Sequence, residues 1–181
     1  MSAFRPDITR RAFVASAAAT GAAVSLPIAP ARAARDSARS RPIPKSGEML
    51  PVIGMGTWIT FNVGRVTSLR QARLQVLKTF FDMGGRVVDS SPMYGSSEAV
   101  VGWCMERLKD RQKQLFSATK VWTSSESGGR EQIADSEKLW GVPKLDLEQV
   151  HNLVSWEEHL ETLFAMKAKG QLRYVGITTS H

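Results

Sequence analysis

The chain holds one cysteine in 181 residues, which excludes an internal disulfide framework and a cysteine-rich zinc site. It contains no Walker A loop, HExxH, CxxC or GxSxG motif, so the common signatures of P-loop phosphate binding, zinc proteolysis, thiol redox chemistry and serine hydrolysis are missing. A long hydrophobic run is missing too. The most apolar stretch, about Phe13 to Ile28, is interrupted by Gly21 and Pro27 and falls short of the roughly 20 apolar residues a membrane span needs. Excess charge is small: 24 Lys and Arg against 17 Asp and Glu give +7. With 43% hydrophobic and 23% charged residues, the composition excludes disordered and collagen-like chains. The length suits one domain plus an appendage.

The appendage is N-terminal. Thr9-Arg10-Arg11-Ala12-Phe13-Val14 places two adjacent arginines ahead of the mildly apolar, alanine-rich stretch, and Ala31-Arg32-Ala33 offers a small-x-small cleavage pattern. Residues 1–33 resemble a twin-arginine (Tat) signal peptide. That resemblance implies a partner in the Tat export machinery, a periplasmic or otherwise exported location, and no stable membrane span after cleavage. Tat substrates cross already folded, which agrees with a lone cysteine. Cleavage after Ala33 leaves 148 residues carrying +4, part of it in a Ser/Ala/Arg linker over residues 34–41. So little charge offers nucleic acid scant attraction, and no nucleic-acid partner is expected. Cys104 falls in the apolar run Ala99 to Met105 and reads as a core side chain.

From Arg41 onward strand and helix patterns alternate. Arg41 to Leu50, with a Ser-Gly turn, predicts a β-hairpin. Strand patterns follow at Pro51–Trp58, Val87–Asp89, Leu115–Trp122, Leu145–Val154 and Tyr174–Thr178. Between them lie helical patterns, among them Leu69 to Phe80, Glu98–Leu108, Arg130–Trp140 and the face Trp156, Leu160, Leu163, Phe164. Gly128-Gly129 reads as a flexible loop, and His159, among Glu157, Glu158 and Glu161, as solvated.

The period is regular. Trp58, Asp89, Lys120 and His151 are each 31 residues apart, and each stands at or near the C-terminal end of a strand pattern. A βα unit takes about 30 residues, so these are equivalent positions in successive units. In parallel βα folds the C-terminal strand ends share one face, where active sites gather. A carboxylate, an amine and an imidazole from neighbouring units should therefore converge there. Asp89 and Lys120 alone would read as a structural ion pair. Tyr94, on the loop after Asp89, changes that reading. A phenol needs a nearby cation to act as an acid near neutral pH, and Lys120, held by Asp89, could supply one. His151 could donate to or orient a carbonyl oxygen. This set suits carbonyl reduction, with Tyr94 protonating the oxygen while a reduced cofactor supplies hydride.

The motifs Lys45-x-Gly47-x-x-Leu50-Pro51-x-Ile53-Gly54-x-Gly56-Thr57-Trp58, Val88-Asp89-Ser-Ser-Pro-Met-Tyr94-Gly, Ala118-Thr-Lys120-Val, Leu147-Glu-Gln149-Val150-His151-Asn152 and Tyr174-Val-Gly176-Ile occur in this order. Together they resemble the aldo-keto reductases over about Arg41 to His181. The resemblance implies an α/β fold, a (β/α)8 TIM barrel whose base is closed by a hairpin, with residues 42–181 forming part of it. It implies NADPH as cofactor, no metal, a small-molecule carbonyl substrate and a catalytic set of Asp89, Tyr94, Lys120 and His151. Gly56, Thr57, Trp58, Asp89, Ser180 and His181 would contact the cofactor, the last two where the family has Ser-Asn. Trp58 and Trp122 would line the substrate pocket, or else pack beneath the loops.

About five of eight βα units are present. The remainder would carry the contacts to the adenosine 2′-phosphate, so a fragmentary or truncated chain is expected. Two functions follow: an exported NADPH-dependent oxidoreductase reducing an aldehyde or ketone to an alcohol, or a catalytically inactive remnant or interaction module lacking a complete cofactor site.

Overall fold

The computed structural model describes residues 38–179. The signal-like segment, most of the linker, and Ser180 and His181 lie outside the described residues.

The hairpin comes first. β1 (Ser40–Pro42) and β2 (Met49–Pro51) pair antiparallel, with Arg41 opposite Leu50. A five-stranded parallel sheet follows in sequence order: β3 (Met55–Gly56), β4 (Val87–Asp89), β5 (Phe116–Val121), β6 (Leu147–His151) and β7 (Tyr174–Thr178). Helices α1 (Thr67–Asp82), α2 (Ser97–Arg107), α3 (Glu126–Trp140) and α4 (Trp156–Ala168) connect successive strands, and a 3-10 turn over Lys109–Gln114 precedes β5. Every crossover joins sheet neighbours, the topology of part of a (β/α)8 barrel.

The two faces of the sheet differ. Val88, Val121 and Val150 point toward the helices and join Leu77, Val100, Val101, Met105, Trp140 and Leu163 in one core. Alternate residues face the barrel interior, among them Asp89, Lys120, Gln149 and His151. Cys104 is fully buried in the core, and burial pushes its thiol up to about 11, as an inert core sulfur requires.

Several boundaries depart from the sequence pattern. The strand predicted over Pro51–Trp58 shrinks to Met55–Gly56, because Pro51 belongs to the hairpin and the Val52 amide bonds Arg39 of the hairpin segment. The strand predicted over Leu145–Val154 stops at His151, where Asn152 and Leu153 take left-handed φ values of 53° and 56°. The Gly128-Gly129 loop is instead the first turn of α3, capped by the Ser125 hydroxyl, which accepts from the Gly128 amide at 3.2 Å. His159, expected in water, is 1% exposed. The two departures explain each other. A Cβ on Gly129 would come within 2.6 Å of the His159 ring, so glycine lets α4 set a buried imidazole against α3. That imidazole bonds the Thr123 carbonyl at 2.7 Å.

The helix-facing layer holds two buried carboxylates. Glu98 accepts from Thr119 Oγ1 at 2.6 Å, Trp140 Nε1 at 2.9 Å and Ser136 Oγ at 3.2 Å. Glu148, fully buried, has no hydrogen-bond partner for either oxygen. Desolvation, reinforced by Glu98, pushes its carboxyl well above the usual range, which keeps it protonated.

Candidate active site

Four of the residues singled out by the 31-residue period and the β4 loop meet at the C-terminal rim of the sheet. Asp89 ends β4, Lys120 is the penultimate residue of β5, and His151 ends β6. The register steps by two residues per strand, Asp89 standing opposite Ala118 and Lys120 opposite Gln149, so Lys120 and His151 each reach two residues past the partner of the site residue before. Lys120 Nζ lies 2.6 Å from Asp89 Oδ2 and 2.6 Å from the Ser90 carbonyl. It is also 5.0 Å from the centre of the Tyr94 ring. Tyr94 in turn meets His151 edge to face, ring centres 6.4 Å apart.

Lys120 is 4% exposed, so water barely screens its charge. Its cost of burial is offset by the Asp89 carboxylate and the Ser90 carbonyl. Two acceptors leave the third N–H of the ammonium for the Tyr94 side. His151 is held below its ordinary pKa, first by desolvation and then by the Lys120 cation, with Asp89 opposing. It therefore stays neutral at pH 7. Its Nδ1 lies 2.6 Å from Thr178 Oγ1, its register partner on β7.

The surroundings of the rim are built to hold these groups. Thr57 is fully buried, with Oγ1 at 2.9 Å from Ser90 Oγ, so it braces the Asp89–Ser90 segment from beneath. Gly56 has open space where a side chain would point. Trp58 and Trp122 do not pack under the loops: they are 64% and 43% exposed, and the Trp58 ring stands 6.4 Å from Tyr94. The Trp122 backbone is fixed at both ends by Gln132, whose Oε1 accepts from the amide at 2.6 Å and whose Nε2 donates to the carbonyl at 3.4 Å. The non-glycine residues with positive φ among the described residues, Ile59, Asn152, Leu153 and Ser155, all lie in the two loops behind Trp58 and His151. Such backbone costs of order 1 kcal/mol or more per residue and gathers at functional sites. The Ser96 side chain does not cap α2. Ser96 Oγ instead ties Asn62 and Gly64 of the first βα loop to the second.

Three polar residues beside the site received no role from the sequence: Gln149, named there only within its motif, Thr178 and Gln132. The first was accessible, since it stands two residues before His151 and so on the same sheet face. Thr178 needed the β6–β7 register and Gln132 a helix–loop contact, neither of which a single sequence displays.

Residues 52–181 match the profile of the aldo/keto reductase family. The chain belongs to that family. Methylglyoxal reductase DkgA of Escherichia coli K12 is 23% identical over 145 residues, covering 74% of this chain and 46% of that protein. Methylglyoxal reductase YeaE of the same organism is 28% identical over 141 residues, with coverage of 74% and 47%. The crystal structure of the aldo/keto reductase from Klebsiella pneumoniae in complex with NADP and acetate is 25% identical. It superposes with a TM-score of 0.61 over 72% of this chain and 46% of that one. The chain thus spans about half the length of the curated relatives it matches. The parallel sheet and its four helices are an incomplete (β/α)8 barrel of aldo-keto reductase type.

Proposed function

We propose that this oxidoreductase reduces an aldehyde or ketone to an alcohol with NADPH. The observation that carries the reading is the contact chain Asp89–Lys120–Tyr94–His151 at one rim. The described residues fit the nicotinamide end of that cofactor: the open space over Gly56 and the exposed face of Trp58 border the polar rim. Gly56, Trp58 and Asp89 would hold it there, with Ser180 and His181 beyond the described residues; Thr57, turned inward, supports them from below. When bound there, the cofactor would supply the hydride that the carbonyl carbon takes up.

The chain's own groups manage the proton. Tyr94 donates its phenolic proton to the carbonyl oxygen as negative charge develops there. Lys120, with its spare N–H toward the ring, stabilises the phenolate left behind. Asp89 keeps the ammonium in place. We assign the Thr178 hydroxyl as the donor to Nδ1, which places the proton of neutral His151 on Nε2, from which it orients the substrate oxygen. Trp58 and Trp122 form the apolar walls for the substrate. Two curated relatives are named for methylglyoxal, a small dicarbonyl, which makes such compounds the first substrates to try.

Export through the twin-arginine route, with residues 1–33 as the cleaved leader and 34–41 as the linker, belongs to the same proposal. It rests on Arg10-Arg11, the weakly apolar stretch and Ala31-Arg32-Ala33. The test is NADPH oxidation with methylglyoxal by the protein purified at its natural length from a periplasmic extract. Turnover in that fraction is the expected result. A folded protein that neither binds NADPH nor turns over any carbonyl favours the inactive remnant or interaction module.

A further inference from the structure

We infer that Gln149 is a positioning residue of this site, its amide holding one oxygen of Asp89 so that the other is reserved for Lys120. The inference rests on the reductase reading. Gln149 is the register partner of Lys120 and shares its interior face of the sheet. Its Nε2 lies 3.2 Å from Asp89 Oδ1 and 3.4 Å from the Thr119 carbonyl. Both partners are acceptors, so the two amide hydrogens are both used and the nitrogen is assigned by chemistry. Asp89 Oδ2 is the oxygen on Lys120. The carboxylate is thereby fixed in rotation, each oxygen with its own donor.

A second feature points the same way. Gly176, opposite Gln149 on β7, stands in a strand interior where glycine weakens the sheet. A Cβ there would press to 3.2 Å on Gln149 Cγ, so the glycine makes room for the glutamine. Without the amide, Asp89 is free to turn both oxygens to the ammonium and draw it away from Tyr94. The loss should fall on kcat and leave KM nearly unchanged, since Gln149 lies behind the reacting groups.

The test uses Gln149→Leu and Gln149→Glu in the protein at its natural length. The readouts are the orientation of the Asp89 carboxylate in crystal structures of the variants and the pH profiles of kcat and KM, with melting curves alongside. Gln149→Leu should let the Asp89 carboxylate turn both oxygens toward Lys120 Nζ, because Oδ1 loses its donor. It should lower kcat about tenfold, with KM within about twofold. Gln149→Glu returns a donor only while the carboxyl pair holds a proton, so its kcat should approach wild type as pH falls and drop as pH rises. An unchanged Asp89 orientation and kcat profile in folded Gln149→Leu overturns the inference. Should the leucine variant fail to fold, a wild-type pH profile in Gln149→Glu overturns it. A rotated Asp89 carboxylate in Gln149→Leu of a protein that reduces no carbonyl overturns the reductase reading and leaves the anchoring of Asp89 standing.

Discussion

Charged side chains cluster at both ends of the parallel sheet, and the two clusters are put together differently. At the N-terminal ends of the strands Arg173 bonds Glu48 and Asp146, Arg86 reaches Glu48 at 3.5 Å, and the Tyr174 hydroxyl donates to Glu48 at 2.7 Å. These contacts tie the hairpin to β4, β6 and β7. The Arg173 guanidinium and the Tyr174 hydroxyl hold the Glu48 carboxyl below its usual range. At the C-terminal ends the Lys120–Asp89 pair is just as close, yet a neutral imidazole, a phenol and a spare ammonium N–H remain beside it. The base closes a structure; the rim keeps donors in reserve. Ion pairs in the same sheet thus read as scaffold or as chemistry according to what stands unpaired next to them.

Substitutions can break this contrast. The largest effect is expected for Lys120→Met, which should cut kcat/KM by about a thousandfold, the range of lost general acid catalysis. Steady-state kinetics with melting curves alongside would check it. At the base, Glu48→Gln should cost about 2 kcal/mol of stability, as expected for losing hydrogen bonds to a charged group, and leave the rate untouched. The sign with pH follows from the lowered carboxyl. The Glu48 contribution is present above the ordinary carboxylate pKa and lost as pH falls through the depressed one, so the difference between the proteins in urea unfolding should close in acid.

Glu148 sharpens the comparison from the hidden side of the sheet. Its carboxyl sits higher in the folded state than unfolded, so stability falls as pH rises past the ordinary carboxylate value. Glu148→Leu should raise stability by about 1–2 kcal/mol, more at pH 8 than at pH 4 by urea unfolding. The smallest effect concerns His151. Its NMR titration midpoint should lie below the ordinary value of about 6.5, and Lys120→Met should move it upward by removing a neighbouring cation.

Much of this was readable in the sequence, for a physical reason. A βα repeat of constant length turns spacing into position, so Asp89, Lys120 and His151 could be placed on one rim before any contact was known. The ends of elements were less legible, because short-range backbone geometry decides them: left-handed Asn152 ends β6, and Ser125 starts α3 ahead of two glycines. His159 was misplaced because the charge around it on the helix says nothing of a neighbouring helix that approaches through Gly129. Glu98 and Glu148 show the same limit from inside: both are buried, and only tertiary contacts tell the one with three donors from the one with none.

The most direct test of the account is Tyr94→Phe in the protein at its natural length, with carbonyl reduction and NADPH affinity measured on the same preparation. The account predicts that reduction is abolished while the cofactor binds as before, since only the transferable proton is removed. Turnover within a few-fold of wild type would contradict it and take Tyr94 out of the proton-donor role.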